Sequence, residues 1–386
     1  MYMSSTTEQI VAFAQELVRT PSQNGIDNER DVAQLVFNKL KSFGFSPELI
    51  GDDPNRPSVI CHIKKREGAK TVWLEAGLDT VPAGWLGAWD AEPFSGDVIE
   101  GKLHGLGAAD CKVAVATFAY LAKSLFDDPN FDGNIFLGFD ADEQAGWFSG
   151  ARDILRHAPK ADVCILGYQG MEEISIGARG WTRLTLSTTG KSQHTGNRYP
   201  KGVNAIHAMG KAIVAIQKIR LPIKSDSYFW FGSALNIAQI EGGTAINIVP
   251  DFCRAEIDVR LVPGQTEEDV AQHIRKALNK LTKNGRLFQY ELVINQGERA
   301  YLTDPKHPFI RTFTQAAARE LGREVPLVAS GYGCVGNILS SSGIPIINGF
   351  GCPSGNLNSA NEWVDISVLP SVFEIYRSSI KEFCKN

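Results

Sequence analysis

The sequence predicts an α/β protein, a mainly parallel sheet flanked by helices, with a second α+β unit inserted into it. Three observations carry that expectation. Short apolar runs of strand length alternate with amphipathic helical stretches up to about residue 180. The order then changes to β-α-β-β-α-β, and the last part of the chain returns to helix, strand and helix.

Taken in order, STTEQIVAFAQELVRTPS reads as a capped helix with Ile10, Phe13, Ala14 and Leu17 on one face and Pro21 as its stop. A second amphipathic helix turns Val32, Leu35, Val36 and Leu40 inward and stops at Gly44. The runs SVICHI, TVWLEAGL, NIFLGFDA and DVCILG are continuous enough to be buried strands, with a helix from Cys111 to about Leu125 among them. WTRLTLST, GVNAIHAMGKAIVAIQKI, ALNIAQIEG, CRAEIDVRLV, TEEDVAQHIRKALNKL and LFQYELVI then give the alternation of a ferredoxin-like unit. Helix PFIRTFTQAAAREL, strand IPIING and helix ISVLPSVFEIYRSSIKEF complete the first sheet. The expected domains are 1–180 and 295–386, two parts of one domain, and 181–294, inserted between them.

Composition narrows the function classes. A chain of 386 residues with 43% hydrophobic and 21% charged residues suits a globular protein of two domains. The formal charge of -4 and the absence of a Lys/Arg-dense run give no footprint for nucleic acid or an anionic membrane, so a small-molecule or peptide-like substrate is expected. No run reaches the length of a membrane span, and MYMSSTTEQIVAF has no basic region before an apolar core, which points to the cytoplasm. Cysteines 61, 111, 164, 253, 334, 352 and 384 have no paired spacing and read as reduced, buried thiols.

Acidic residues stand where strands end. Asp79 follows TVWLEAGL, Asp110 closes GKLHGLGAAD, and Asp142 with Glu143 follows NIFLGFDA. In open α/β sheets ligands bind beyond the carboxyl ends of the strands, so these side chains are candidates for one crevice. Each also has a plainer use: Asp79 or Asp110 as a helix N-cap, and Asp258 with Arg260, two apart on one strand face, as a simple ion pair.

The runs GLDTVPAG, GKLHGLGAADCK, DADEQAG, STTGKSQHTG with KGVNAI, IEGGTAINIVPD with DVRLVPG, and GFGCPSGNLNSANEWV occur in that order along nearly the whole chain. Together they resemble the co-catalytic zinc exopeptidase and deacylase family, which includes acetylornithine deacetylase, succinyl-diaminopimelate desuccinylase, aminoacylase and glutamate carboxypeptidase. The resemblance implies a zinc-exopeptidase-like catalytic domain with an inserted lid and dimerisation domain. In that family two zinc ions share a bridging aspartate and a water, and the bridging residue matches Asp110.

The other ligand positions do not match. The first histidine is expected at Leu78, the ligand half of a Glu-Glu pair at Gln144, a carboxylate at Tyr168 and a C-terminal histidine at Asn358. A leucine offers no donor atom, and neutral amides or a phenol are poor substitutes for carboxylate and imidazole. The expectation is therefore no metal and no cofactor.

The resemblance gives other residues roles. Glu143 matches the general base. His194 matches a lid histidine that polarises the scissile carbonyl in the neighbouring subunit's active site, which implies a homodimer through the lid. Arg260, Asn247 and Gly243, with Gly242, match positions that hold a substrate carboxylate. Asp79 would orient the first ligand, a task that loses its object here. The plainer use of His194 is to close a turn, and Tyr168 either fills space left by metal or donates a hydrogen bond. Cys111 reads as core.

The reading that follows is a metal-independent enzyme acting on a carboxylate-bearing amino-acid or peptide-like substrate. Its cast is Glu143 as acid/base, Tyr168 and His194 as donors, Asp110 beside them, Arg260, Asn247 and Gly243 as the carboxylate clamp, and Gln144 and Asn358 as polar contacts. Acyl transfer or condensation, cyclisation, isomerisation and elimination suit such a site better than amide hydrolysis. The alternatives are a catalytically silent binding homologue and a residual hydrolase with a rearranged metal site that uses His104.

Overall fold

The computed structural model describes residues 5–144, 146–221, 227–283 and 289–385. The start of the run LFQYELVI lies outside the described residues. The chain divides into two compact units, one of residues 1–177, 303–330 and 334–386, the other of residues 178–302 and 331–333. The second crossing falls later than residue 294 because the strand Gln289–Glu298 stays paired with Gly180–Thr189 as far as Trp181↔Glu298.

The first unit is built on a six-stranded sheet in the order Glu48–Ile50, Ser58–Ile63, Asn134–Asp140, Thr71–Gly77, Val163–Leu166, Ile346–Ile347. Thr71–Gly77 runs parallel to both its neighbours, and Ile346–Ile347 parallel to Val163–Leu166. Ser58–Ile63 is antiparallel on both sides, so one edge of the sheet departs from the parallel pattern. The connection between Ile50 and Ser58 is too short for a parallel crossover, and a short link between neighbouring strands reverses direction.

Helices close the sheet. Ser5–Val18 buries Ile10, Phe13, Ala14 and Leu17, the face its spacing predicts. Pro308–Leu321 and Leu369–Lys385 bury Phe313 and Tyr376, which meet with ring centroids 5.9 Å apart, and Phe350 joins Phe313 at 5.4 Å. Each fully buried Leu or Phe of this kind contributes about 1.5–3 kcal/mol. The helix expected from Cys111 begins at Val113: Asp110 and Cys111 have non-helical backbones, and no side chain caps the helix. Asp110 is thus not an N-cap.

The second unit is a four-stranded antiparallel sheet in the order Ala234–Gly242, Phe252–Leu261, Gly180–Thr189, Gln289–Glu298. The helices Ala205–Ile216 and Glu267–Lys283 share one core with it, formed by Leu184, Leu186, Met209, Ala212, Ile257, Val259 and Ile274 among others. This is the ferredoxin-like order, fixed by strands whose inward positions alternate with solvent-facing ones. Among the described residues no helix is long and apolar enough to cross a membrane, and all seven cysteines are buried without a disulfide.

Candidate active site

Parallel register sets up the site. Gly77 stands opposite Asp140 and Glu75 opposite Gly138, so the segments that follow both strands leave the sheet at the same edge. The Leu78 N–H donates to the Asp140 carbonyl at 2.8 Å, and Gly167, just before Tyr168, donates to the Glu75 carbonyl at 2.8 Å.

Asp79 holds the segment that carries Glu143. It is buried, and its Oδ1 accepts from the Glu143 N–H at 3.0 Å while Oδ2 accepts from the Gln144 N–H at 3.0 Å and Asn24 Nδ2 at 2.9 Å. Burial pushes its carboxyl up to about 6, and these three donors pull against that rise. Asp79 therefore keeps a task, as an anchor of backbone rather than an orienter of a ligand or a helix cap. Asp142, in the left-handed region at φ 60, is fixed alongside by Arg56 Nη1 at 2.6 Å, Ser149 Oγ at 2.7 Å and a backbone bond to Glu29.

Five of the expected residues converge. Asp110 Oδ2 accepts from Asn358 Nδ2 at 2.9 Å and from Gln144 Nε2 at 3.3 Å, and its Oδ1 accepts from the Cys111 thiol at 2.8 Å. Turning either amide over would set an oxygen against a carboxylate, so the amino groups face Asp110. The Tyr168 hydroxyl donates to Glu143 Oε1. Burial pushes the Glu143 carboxyl well above its ordinary range, and the nearby Asp140 and Asp110 push the same way. The Tyr168 phenol is likewise raised by burial and then by Glu143. Burial also keeps Cys111 a neutral thiol, with Asp110 adding to the effect, in line with a packing role.

The position facing Glu143 is Gly77, not Leu78. A Cβ added at Gly77 would stand 2.5 Å from Glu143 Oε2, and successive residues of an extended strand point to opposite faces, which turns the buried Leu78 away. The place facing the Glu143 carboxyl is thus held by a residue with no side chain, and Leu78, where the first ligand was expected, is buried. Three further residues were missed by sequence reasoning. Glu362 is buried and accepts from the N–H groups of Gly107, Ala109 and Asp110 at 3.2, 2.9 and 3.3 Å, which holds the turn that carries Asp110. Glu75 and Asp140 lie buried within the sheet, and their signal was a lone acid inside the apolar runs TVWLEAGL and NIFLGFDA.

His104 sits on the strand Lys102–His104 opposite Trp363. Among the described residues no three His, Cys, Asp or Glu side chains are placed to hold a metal ion.

The second unit brings His194 and Asn247 together. His194 Nδ1 accepts the Gly196 N–H at 3.0 Å, and its Nε2 lies 3.2 Å from the Asn247 side-chain amide. Asn247 O accepts from the Thr195 N–H at 2.9 Å, so two strand-like segments hold the pair. Gly243 takes a left-handed φ of 83 that permits the turn after Gly242. Arg260 Nε donates to Asp258 Oδ1 at 2.8 Å, the plain ion pair that their spacing allowed.

Comparison with known proteins gives a consistent result. The description "Peptidase dimerisation domain" matches residues 176–286. The chain is 25% identical over 385 residues to a succinyl-diaminopimelate desuccinylase of Acinetobacter baumannii, covering 96% of this chain and 97% of the relative. A succinyl-diaminopimelate desuccinylase of Methylorubrum extorquens is 28% identical over 381 residues, covering 95% and 96%. Among solved structures, a tripeptidase from Staphylococcus aureus superposes with a TM-score of 0.81 at 20% identity, covering 98% of this chain and 99% of that one. An M20 family metallo-carboxypeptidase from Sulfolobus solfataricus superposes with a TM-score of 0.78 at 19% identity over 100% of both chains.

Proposed function

Since the chain belongs to the M20 peptidase family, we propose that it is an enzyme of this fold that works without a metal ion on a carboxylate-bearing amino-acid or peptide-like substrate. One observation carries the reading: the amino groups of Gln144 and Asn358 are hydrogen-bonded to Asp110, and the Tyr168 hydroxyl to Glu143. These uncharged donors hydrogen-bond to Asp110, the match to the acid that a pair of zinc ions would share, and to Glu143, the match to the general base. The donor set does not fit the paired ions, because two carboxylates without imidazole or further carboxylate supply too few charged ligands.

Glu143 is the acid/base group, and its raised proton affinity suits it to give a proton at neutral pH. Tyr168 donates to whichever form of Glu143 is present and reaches the same carboxyl end of the sheet. On the resemblance, His194 and Asn247 are the donors to a developing oxyanion, and Gly243 and Arg260 receive the substrate's carboxylate; within the second unit His194 lies beside Asn247 and Asp258 sets the Arg260 guanidinium. Chemistry that needs positioning and proton transfer follows: acyl transfer or condensation onto an activated acyl group, cyclisation, isomerisation or elimination. The chain acts as a homodimer, a reading supported by the match to a dimerisation domain.

A second reading, metal-dependent amide hydrolysis, is favoured by similarity to desuccinylases along almost the entire chain. Elemental analysis separates the two. Protein purified without chelator and then loaded with zinc is expected to retain none; about two equivalents per chain would overturn the metal-free reading and favour hydrolysis.

A further inference from the structure

Behind Glu143 lies a pair of acids that no step above uses. Glu75 and Asp140 are buried in adjacent strands, and neither faces water. The strands make room for them by omitting side chains: a Cβ at Gly138 would overlap Glu75 Oε2, and one at Gly77 would stand 2.5 Å from Glu143 Oε2 and 3.9 Å from Asp140 Oδ1. Glu143, Asp140 and Glu75 therefore form one buried file of carboxyl groups, ended by the Tyr168 hydroxyl on Glu143 and by Trp73 Nε1, which donates to Glu75 Oε2.

The file is short of protons. Glu75 Oε1 and both oxygens of Asp140 have no donor among the described residues, although the two carboxyl groups face one another within hydrogen-bond reach. Two carboxylates are acceptors only and repel at that range, whereas one proton between them makes one group the donor. Their surroundings offer no other remedy. Glu75 faces Trp73, Asp140, Glu143 and Cys164; Asp140 faces Glu75, Asp79 and Glu143; Glu143 faces Asp140, Asp110, Asp79, Tyr168 and Cys111. Among the described residues the buried lysine nearby, Lys112, is pushed down to about 7 by burial, faces Glu362, Asp27 and Asp79 rather than the file, and donates to the Thr20 carbonyl at 2.8 Å. Burial raises all three carboxyls, and their mutual repulsion adds to the rise.

We propose that Glu75 and Asp140 share one proton and that the single charge left on the pair keeps Glu143 protonated, so that Glu143 meets substrate as a general acid. The inference rests on Glu143 being the acid/base group. In the step itself the Glu143 O–H bond breaks, the proton bonds to the atom that leaves, and the electron pair stays on a carboxylate that Tyr168 continues to hydrogen-bond. A proton from the incoming group restores the acid. Glu75 and Asp140 touch no substrate and act through Glu143 as positioning residues.

The test uses the full chain after chelator treatment. A carboxyl whose folded-state proton affinity is raised contributes stability that is complete below the ordinary carboxylate range and is lost as pH rises through the folded-state value. Glu29, raised to about 8, and Glu362, raised to about 7, add slope of the same sign, so the difference between variants is the readout. In E75Q the new amide donates to an ionised Asp140 and the extra proton disappears. Between about pH 5 and about pH 8 its folding constant should fall about tenfold less per pH unit than that of the unmodified chain. The infrared carbonyl band of protonated Glu143, identified by its loss in E143Q, should persist at neutral pH and titrate at lower pH in the E75Q/D140N double variant. Equal slopes, or a Glu143 band that titrates unchanged in the double variant, overturn the inference and leave the metal-free reading intact. D140N replaces E75Q if the latter does not fold, and absence of any protonated carboxyl band in the unmodified chain at neutral pH is decisive by itself. A rise in Tm with release of protons on adding zinc chloride would show cations in place of protons and overturn both readings.

Discussion

At the scale of single residues the site turns on Glu143 and what is packed against it. Glu143→Gln keeps the shape but removes the transferable proton, so kcat should fall about 100- to 10,000-fold with the unfolding transition retained; a variant of unchanged turnover would remove Glu143 from the chemistry. Tyr168→Phe takes away a donor that favours the carboxylate form, so the limb of the pH–rate profile that reports Glu143 should move to higher pH. Gly77→Ala is the sharper probe of packing. The added methyl meets Glu143 Oε2 at 2.5 Å, which costs about 1–3 kcal/mol in chemical denaturation and moves the acid out of line. The run GLDTVPAG was read as lacking a first ligand at Leu78, but a string of letters does not say which way a side chain points. The place facing the Glu143 carboxyl is held by Gly77, a difference of one residue that only strand alternation shows.

Elements decide where these residues meet. The strands ending at Gly77, Asp140 and Leu166 were legible because uninterrupted apolar runs of that length have few other uses, and so was the inserted unit, whose strands alternate. The antiparallel edge was not, since buried parallel and antiparallel strands share one hydrophobic pattern. Nor was the irregular turn before Val113, which is held by Glu362 from far along the chain. The long-range anchor with the largest consequence is Asp79. Removing it as Asp79→Ala leaves the Glu143 and Gln144 N–H groups without their acceptor, at about 1–3 kcal/mol each if they stay buried. Stability should fall, and kcat with it, because the loop that aims Glu143 loses its tie; a variant as active and as stable as the parent would return Asp79 to an idle role.

For the whole molecule the open question is what covers the sheet edge Ala234–Gly242. Among the described residues this strand is paired on one side only, by Phe252–Leu261, and most of its residues are exposed, Ile240 among them, with Ile246 fully exposed in the loop that follows. A long exposed edge with apolar residues is a template for another strand, and the matching family description names dimerisation. A second copy of the chain, joined edge to edge by a two-fold axis, satisfies both facts. Sedimentation velocity should therefore find a species of two chains, and Ile240→Lys with Ile246→Lys should reduce it to one chain without a loss of Tm, since neither side chain contributes to the core. Activity then separates assembly from fold. If His194 serves the partner's active centre, as the resemblance implies, mixing inactive Glu143→Gln chains with inactive His194→Ala chains should restore turnover, because a mixed dimer carries one centre with both groups intact. The same mixture made with the doubly lysine-substituted chains should stay inactive. Failure of the first mixture to regain turnover, or a single-chain protein at every concentration, would confine His194 to its own chain.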